Sequence, residues 1–106
     1  MTGILLIRVN VPDITTAEQI STKLIEEKLA ACANISGSVQ SHYVWNDRMQ
    51  CDEEFIVWIK APEALWTRIE AQIRALHPHE TPAILALPIA HANADFAHWV
   101  VDSCVE

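Results

Sequence analysis

Residues 39–60 read VQSHYVWNDRMQCDEEFIVWIK, and this stretch predicts a long β-hairpin in the middle of the chain. Residues 39–45 and 55–59 are two runs rich in β-branched and aromatic side chains, which favour strands. Asn46-Asp47 is a dipeptide typical of turns. A polar segment over residues 48–53 separates this turn from the second run, and the two strands are predicted to pair as a long hairpin.

The segments on either side of the hairpin each carry a strand pattern and a helix pattern. Before it, Ile4–Val11 has the aliphatic composition of a buried strand, and apolar residues then recur at helical spacing over residues 17–31. After it, Pro62 is suited to the first turn of a helix, where its missing N–H costs nothing. That helix must end by His77, because Pro78 disfavours helical angles in the residue before it.

The end of the chain adds one more strand, predicted over residues 83–87, and a short closing helix over residues 96–104. This order of elements predicts an α+β fold of the ferredoxin-like split βαβ type, βαββαβ plus a C-terminal helix. Residues 1–106 are expected to form a single domain. The helices would cover one face of the sheet, and we expect the other face, with apolar area from four tryptophans, to be buried between subunits.

The composition excludes several classes of protein. The chain has 106 residues, of which 51% are hydrophobic, so it is long and apolar enough to bury a core and is not disordered. Fourteen acidic side chains against seven basic ones give a net charge of −7, so no nucleic-acid partner is expected. The first residues show neither a signal peptide nor an apolar span, which predicts a cytoplasmic protein without membrane contact.

Three cysteines, Cys32, Cys51 and Cys104, are widely spaced and form no C-x-x-C motif, so we expect free thiols. Acidic residues follow Cys51 directly, and a reactive-thiol role is not expected there. A role for Cys51 as a soft ligand for Cu(I) is the alternative. His42 is interpreted as a surface or interface histidine.

A candidate metal site lies around Pro78. His77 and His79 are two positions apart in a segment that Pro78 and Pro82 hold extended, and Glu80 is adjacent, so the imidazoles project to the same side. Two imidazoles and a carboxylate suit copper, nickel or zinc. We therefore predict His77, His79 and Glu80 as metal ligands. The alternative is that His77 caps a helix end and His79 is a surface residue.

Several motifs, taken together in order and spacing, closely resemble the CutA family of divalent-cation tolerance proteins. They are Leu29-Ala-Ala-Cys-Ala-Asn-Ile35, Ser41-x-Tyr43-x-Trp45, Glu54, Lys60, His77-Pro-His-Glu-x-Pro82 and Leu87-Pro-Ile89. The resemblance implies a ferredoxin-like fold, a homotrimer akin to the PII signalling proteins, and a link to copper and other divalent metals. The chain departs from the family pattern at three places, with His79 instead of the usual tyrosine, Asn46-Asp47-Arg48 instead of a glycine-containing turn, and Val9 where some members carry a cysteine.

The resemblance also implies a cleft between subunits near Tyr43, Trp45, Glu54 and Lys60, which could hold a small ligand. The alternative is that the aromatic residues only pack in an interface. Glu54 and Lys60 could act as an acid/base pair, although an ion pair is the more usual meaning. The sequence contains no nucleophile elbow, phosphate loop or zinc-protease motif, so no enzyme activity is expected.

Two functions follow from these patterns. The first is reversible chelation of copper or another divalent metal by a homotrimer that acts in metal-ion tolerance. The second is a PII-like signalling or scaffold module that binds a small molecule or a protein partner in its intersubunit cleft.

Overall fold

A four-stranded antiparallel sheet with the strand order β2-β3-β1-β4 organises the structure, a computed structural model that describes residues 2–105. The elements are β1 (Ile4–Val11), α1 (Ile14–Glu26), β2 (Cys32–Trp45), β3 (Arg48–Pro62), a 3-10 turn (Glu63–Leu65), α2 (Trp66–Leu76), β4 (Ile84–Pro88) and α3 (Ala94–Asp102). This order and sheet topology confirm the predicted α+β, ferredoxin-like fold with an added C-terminal helix.

The main hydrophobic core lies between the sheet and the pair of helices α1 and α2. Successive side chains of a strand point to opposite faces, and the odd-numbered residues of β1 face the core. Ile7 pairs with Ile59 and Val9 with Val57 across the two central strands, and all four side chains are fully buried. Burying each such side chain contributes about 1.5–3 kcal/mol, so this layer is a large source of stabilisation.

Helix α1 ends earlier than its apolar pattern indicates. The spacing predicts a helix to residue 31, but the last helical residue is Glu26. Lys28 adopts a left-handed conformation with φ of 57°, and the amide of Leu29 donates to the carbonyl of Leu24 at 2.9 Å, which together form a Schellman C-cap. Leu29 is buried all the same, because the chain turns back onto the core instead of leaving it.

The central hairpin is longer than predicted and extends beyond the rest of the sheet. β2 begins at Cys32 and β3 at Arg48, seven residues before the predicted start in each case. Pairing between β1 and β3 ends at Phe55, so residues 39–54, here called the arm, form a ribbon of two strands only. Asn46 and Asp47 have φ of 53° and 62° at its tip, the signature of a type I′ turn. This pair therefore makes the turn without a glycine.

The sheet face opposite α1 and α2 is covered in part. α3 packs against β1 and β3, and its Val100 is fully buried. Leu85 and Leu87 of β4 point to this face and are 62% and 52% exposed. The single chain therefore leaves apolar surface on this face, and its burial between subunits stays a prediction.

Candidate functional site

A cleft of about 500 Å³ opens between one face of the arm and the segment that follows α2. It is lined by Asn10, Tyr43, Trp45, Glu54, Pro78, His79, Glu80, Thr81 and Ala83. The structure thus brings most of the two predicted sites, the metal ligands and the ligand cleft, into one place. The arm leaves the sheet next to Asn10, and the amide of Asn10 donates to the carbonyl of Ala83 at 3.2 Å, so both walls of the cleft meet at the end of β1.

Glu54 is the buried acidic residue of the cleft. It is only 8% exposed, and its Oε1 accepts hydrogen bonds from Ser41 Oγ at 2.6 Å and from Asn10 Nδ2 at 3.2 Å. Its Oε2 has no hydrogen-bond partner among residues 2–105. This oxygen is not fully buried, since no fully buried side-chain oxygen in those residues lacks a partner. Oε2 is therefore the oxygen that remains available to a ligand in the cleft.

Two aromatic residues of the arm form one wall of the cleft. Tyr43 and Trp45 alternate with Ser41 along β2, so all three point to the same side of the ribbon. The Tyr43 hydroxyl donates to Asp52, and this hydrogen bond to a carboxylate is the main reason why the pKa of Tyr43 is raised. Trp45 remains 48% exposed. The wall therefore combines a neutral, oriented phenol with an accessible indole surface.

His77 is held by hydrogen bonds at both ring nitrogens. It is buried, its Nε2 lies 2.7 Å from the carbonyl oxygen of Asn10, and its Nδ1 accepts from the amide of His79 at 3.1 Å. Since the carbonyl can only accept, Nε2 carries the proton and the ring is neutral. Burial is the main cause that lowers the pKa of His77, which agrees with this neutral form. A metal would have to displace one of these hydrogen bonds to bind His77.

His79 and Glu80 are both exposed and line the cleft. The rings of His77 and His79 are 4.9 Å apart between centroids. Within residues 2–105, however, no group of three or more His, Cys, Asp or Glu side chains is placed to share one metal ion. The three predicted ligands His77, His79 and Glu80 therefore do not form a complete metal site in the single chain, and the metal site stays a prediction.

Lys60 does not line this cleft within the single chain, and its place in a cleft between subunits stays a prediction. Its Nζ donates to Asn34 Oδ1 at 2.9 Å. The residue is paired across the sheet with Cys32, at the end of β2 that lies away from the arm. Six residues of extended strand separate it from Glu54, a distance of roughly 20 Å. Within one chain, Lys60 and Glu54 therefore form neither an acid/base pair nor an ion pair.

The comparisons with known proteins agree with this architecture. A sequence model of the CutA1 divalent ion tolerance protein matches residues 5–103. The chain belongs to the CutA1 family. It is 35% identical over 92 residues to the divalent-cation tolerance protein CutA of Thermus thermophilus, covering 87% of this chain and 89% of that protein. A similar relative from Archaeoglobus fulgidus is 32% identical over 94% of this chain and 96% of its own.

Solved structures of CutA1 proteins have the same fold. CutA1 of the psychrotrophic bacterium Shewanella sp. SIB1 superimposes with a TM-score of 0.95 at 33% identity, over 98% of this chain and 97% of that one. The Thermus thermophilus protein gives 0.92 at 31% identity, over 96% and 99% of the two chains. Some eukaryotic relatives are longer, and this chain spans 52% of mouse CutA. Among residues 2–105, no helix is long and apolar enough to cross a membrane.

Asn10, which lines the cleft, and Ser41, which donates a hydrogen bond to Glu54 there, are not among the predicted site residues. Ser41 belongs to one of the motifs that carry the CutA resemblance, so a signal was present. The signal for Asn10 was weaker. Arg8 and Asn10 are polar residues two positions apart in an otherwise aliphatic strand. That alternation indicates a polar patch on the sheet face away from the core.

The pH dependence of stability provides a test of the His77 geometry. Unfolded His77 takes up a proton near pH 6.5, whereas the folded ring resists it because its pKa is lowered. Acidification therefore favours the unfolded chain. The stability that neutral His77 provides is fully present above the pKa of the unfolded residue, and it is lost as the pH falls through 6.5 toward the lower pKa of the folded residue. We expect H77Q to reduce this loss between about pH 7.5 and 5.5.

The measurement is urea unfolding of the metal-free protein at a series of pH values in that range. H98Q is the matched control, because His98 is an exposed histidine on α3. An unchanged pH slope in H77Q would contradict the assignment of His77 as a buried, neutral ring.

Proposed function

We propose that this protein binds copper(II) or a related divalent cation reversibly in the cleft, and that it acts in metal-ion tolerance without catalytic turnover. The observation that carries the proposal is that His79, Glu80 and Glu54 line one cleft and that Glu54 Oε2 has no hydrogen-bond partner among residues 2–105, although no three of these side chains are placed to share one metal ion within the single chain. One imidazole with carboxylate oxygens is a donor set that suits copper(II), nickel and zinc. Membership of a family named for divalent ion tolerance supports the same role.

His77 then has a positioning role in place of the predicted role as a ligand. Its ring connects the carbonyl of Asn10 on β1 to the amide of His79, so it fixes the start of the segment that carries His79 and Glu80. A neutral ring with both nitrogens bonded does this without offering a lone pair to the metal. The proposed ligands are therefore His79, Glu80 and Glu54.

We further propose that the functional form is a homotrimer and that neighbouring copies add ligands to the cleft. The exposed Leu85 and Leu87 provide an apolar surface suited to contact between copies. The absence of a complete ligand group within residues 2–105 is consistent with a site that needs a second chain. The three cysteines are free thiols, which suits the reducing cytoplasm, and we propose that location.

A calorimetric titration of the metal-free protein with Cu(II) tests the proposal. We expect submicromolar binding by the wild type and a loss of at least tenfold in affinity, about 1.4 kcal/mol, in both H79A and E80Q. H98A provides the control, since it removes an exposed imidazole that lies outside the cleft. Equal affinities for the wild type and the two cleft variants would reject the metal site.

The second candidate function is binding of a small molecule in the same cleft. The volume of about 500 Å³ lies in the range of ligand pockets, and Tyr43 and Trp45 supply an aromatic wall. A ligand that stabilises wild type and the H79A/E80Q variant equally against heat would favour this PII-like role. Stabilisation that disappears in Y43A but survives in H79A/E80Q would locate the ligand on the aromatic wall.

A further inference from the structure

The face of the arm that points away from the cleft carries a second group of metal-binding side chains. Along the ribbon, Ser41 and Asp52 point to the cleft side. Because side chains alternate along each strand, the residues next to them in sequence point to the other side. His42 and Cys51 are directly opposite each other on this outer face. Neither residue takes part in the cleft, and both are exposed.

The His42–Cys51 pair has a spacing that suits a shared metal ion. Cys51 Sγ lies 3.7 Å from His42 Nε2. With bond lengths like those of zinc, about 2.3 Å to sulfur and 2.0–2.1 Å to nitrogen, a tetrahedral or trigonal angle places the two donor atoms about 3.5–3.8 Å apart. The two side chains therefore already stand at the separation that coordination requires, without movement of the backbone.

A third donor is available on the same face. Met49 precedes Cys51 by two residues on β3, so their side chains point to the same side, and Met49 lies diagonal to His42 across the ribbon. Met49 is 73% exposed, although a methionine is more usually buried in a core. Thioether, thiolate and imidazole together form a soft donor set, which selects Cu(I) over the hard divalent ions.

The acidic residues beside Cys51 in the sequence do not occupy this face as competing ligands. Asp52 and Glu54 point to the cleft side of the ribbon, where they accept hydrogen bonds from Tyr43 and Ser41. Glu53 shares the outer face but accepts a hydrogen bond from Ser38 at 2.9 Å. The donors that remain for a metal on this face are the sulfur atoms and the imidazole.

We propose that Cys51 and His42, with Met49 as third ligand, form a surface site for Cu(I) that is separate from the cleft. Cu(I) replaces the thiol proton of Cys51, which passes to solvent, and copper keeps its oxidation state. Because the site is open to solvent on the arm, Cu(I) can enter and leave it by ligand exchange. This site does not depend on the divalent site proposed above, since it shares no ligand with it.

The test is an anaerobic titration with Cu(I) in competition with a chromophoric Cu(I) chelator, in the presence of a reductant that does not bind the metal. We expect the wild type to take one Cu(I) per chain from the chelator. C51S and H42Q should each weaken this binding at least about tenfold, and M49L should weaken it by a smaller factor. Because all three side chains are exposed, their variants should melt at the wild-type temperature.

Matched controls separate this site from others. C104S removes a half-buried thiol whose pKa is raised by burial, and H98Q removes an exposed imidazole elsewhere, so both should bind Cu(I) as wild type does. E80Q should also retain Cu(I) binding, which distinguishes failure here from failure of the cleft site. Wild-type affinity in C51S or in H42Q would overturn the proposal, and wild-type affinity in M49L would overturn the role of the thioether.

Discussion

Replacement of Gly37 by alanine is expected to lower the free energy of unfolding by about 1–3 kcal/mol. A Cβ at this position would lie 2.2 and 2.3 Å from two ring carbons of Phe55, far inside van der Waals contact. The ring has little room to withdraw, because Phe55 packs against the main core. Gly37 also lies in the irregular register between Ser36 and Val39, where the sheet gives way to the arm.

A double-mutant cycle measured by urea unfolding separates this close approach from a general effect of alanine. In a Phe55→Leu background, which removes much of the ring that blocks the Cβ, the cost of G37A should fall by at least half. Q40A, an exposed change on the same strand, is the control and should stay within about 0.5 kcal/mol of the wild type. The same cost of G37A in both backgrounds would show that Phe55 is not the obstacle.

Glu54→Ala should have an effect of similar size on stability and a further effect on binding. The change removes the acceptor for Ser41 and Asn10, and leaving such donors without a partner costs about 1–3 kcal/mol. It also removes Oε2, the oxygen that the cleft offers to a metal ion. We therefore expect both the urea midpoint and the affinity for Cu(II) to fall.

Glu54→Gln distinguishes these two roles. The amide oxygen can still accept from Ser41 and Asn10, so most of the stability should return, while the charge that attracts a cation is absent. Cu(II) affinity should remain at least tenfold below that of the wild type, a difference of about 1.4 kcal/mol. A Gln variant that is stable and binds Cu(II) normally would assign Glu54 a structural role only.

Local patterns in the sequence were sufficient for the elements and for the family. Ile4–Val11 was predicted with both of its ends, because a mainly aliphatic run that is closed by proline has few other solutions. The ends of the hairpin strands were missed, since the polar residues 48–53 and the small residues before Val39 look like loop. These residues form strands because β2 and β3 pair with each other, and such pairing cannot be inferred from either segment alone.

The candidate site was predicted only in part, because it too depends on contacts between distant segments. Tyr43, Trp45, Glu54, His79 and Glu80 line one cleft, whereas the sequence assigns them to two separate candidate sites. His77 was assigned as a ligand because its spacing from His79 allows it, but spacing says nothing about the Asn10 carbonyl that binds its ring. The position of that carbonyl depends on a contact between residues 67 positions apart in the chain.

The sequence by itself determined the class of fold, the family and most of the chemistry available, because periodicity and motifs are local properties that each segment carries with it. Only the tertiary structure decided which of these groups meet. It separated Lys60 from Glu54, placed both nitrogens of His77 in hydrogen bonds, and set His42 opposite Cys51. Strand register is the physical reason, since a shift of one residue would turn every side chain of the arm to the other face.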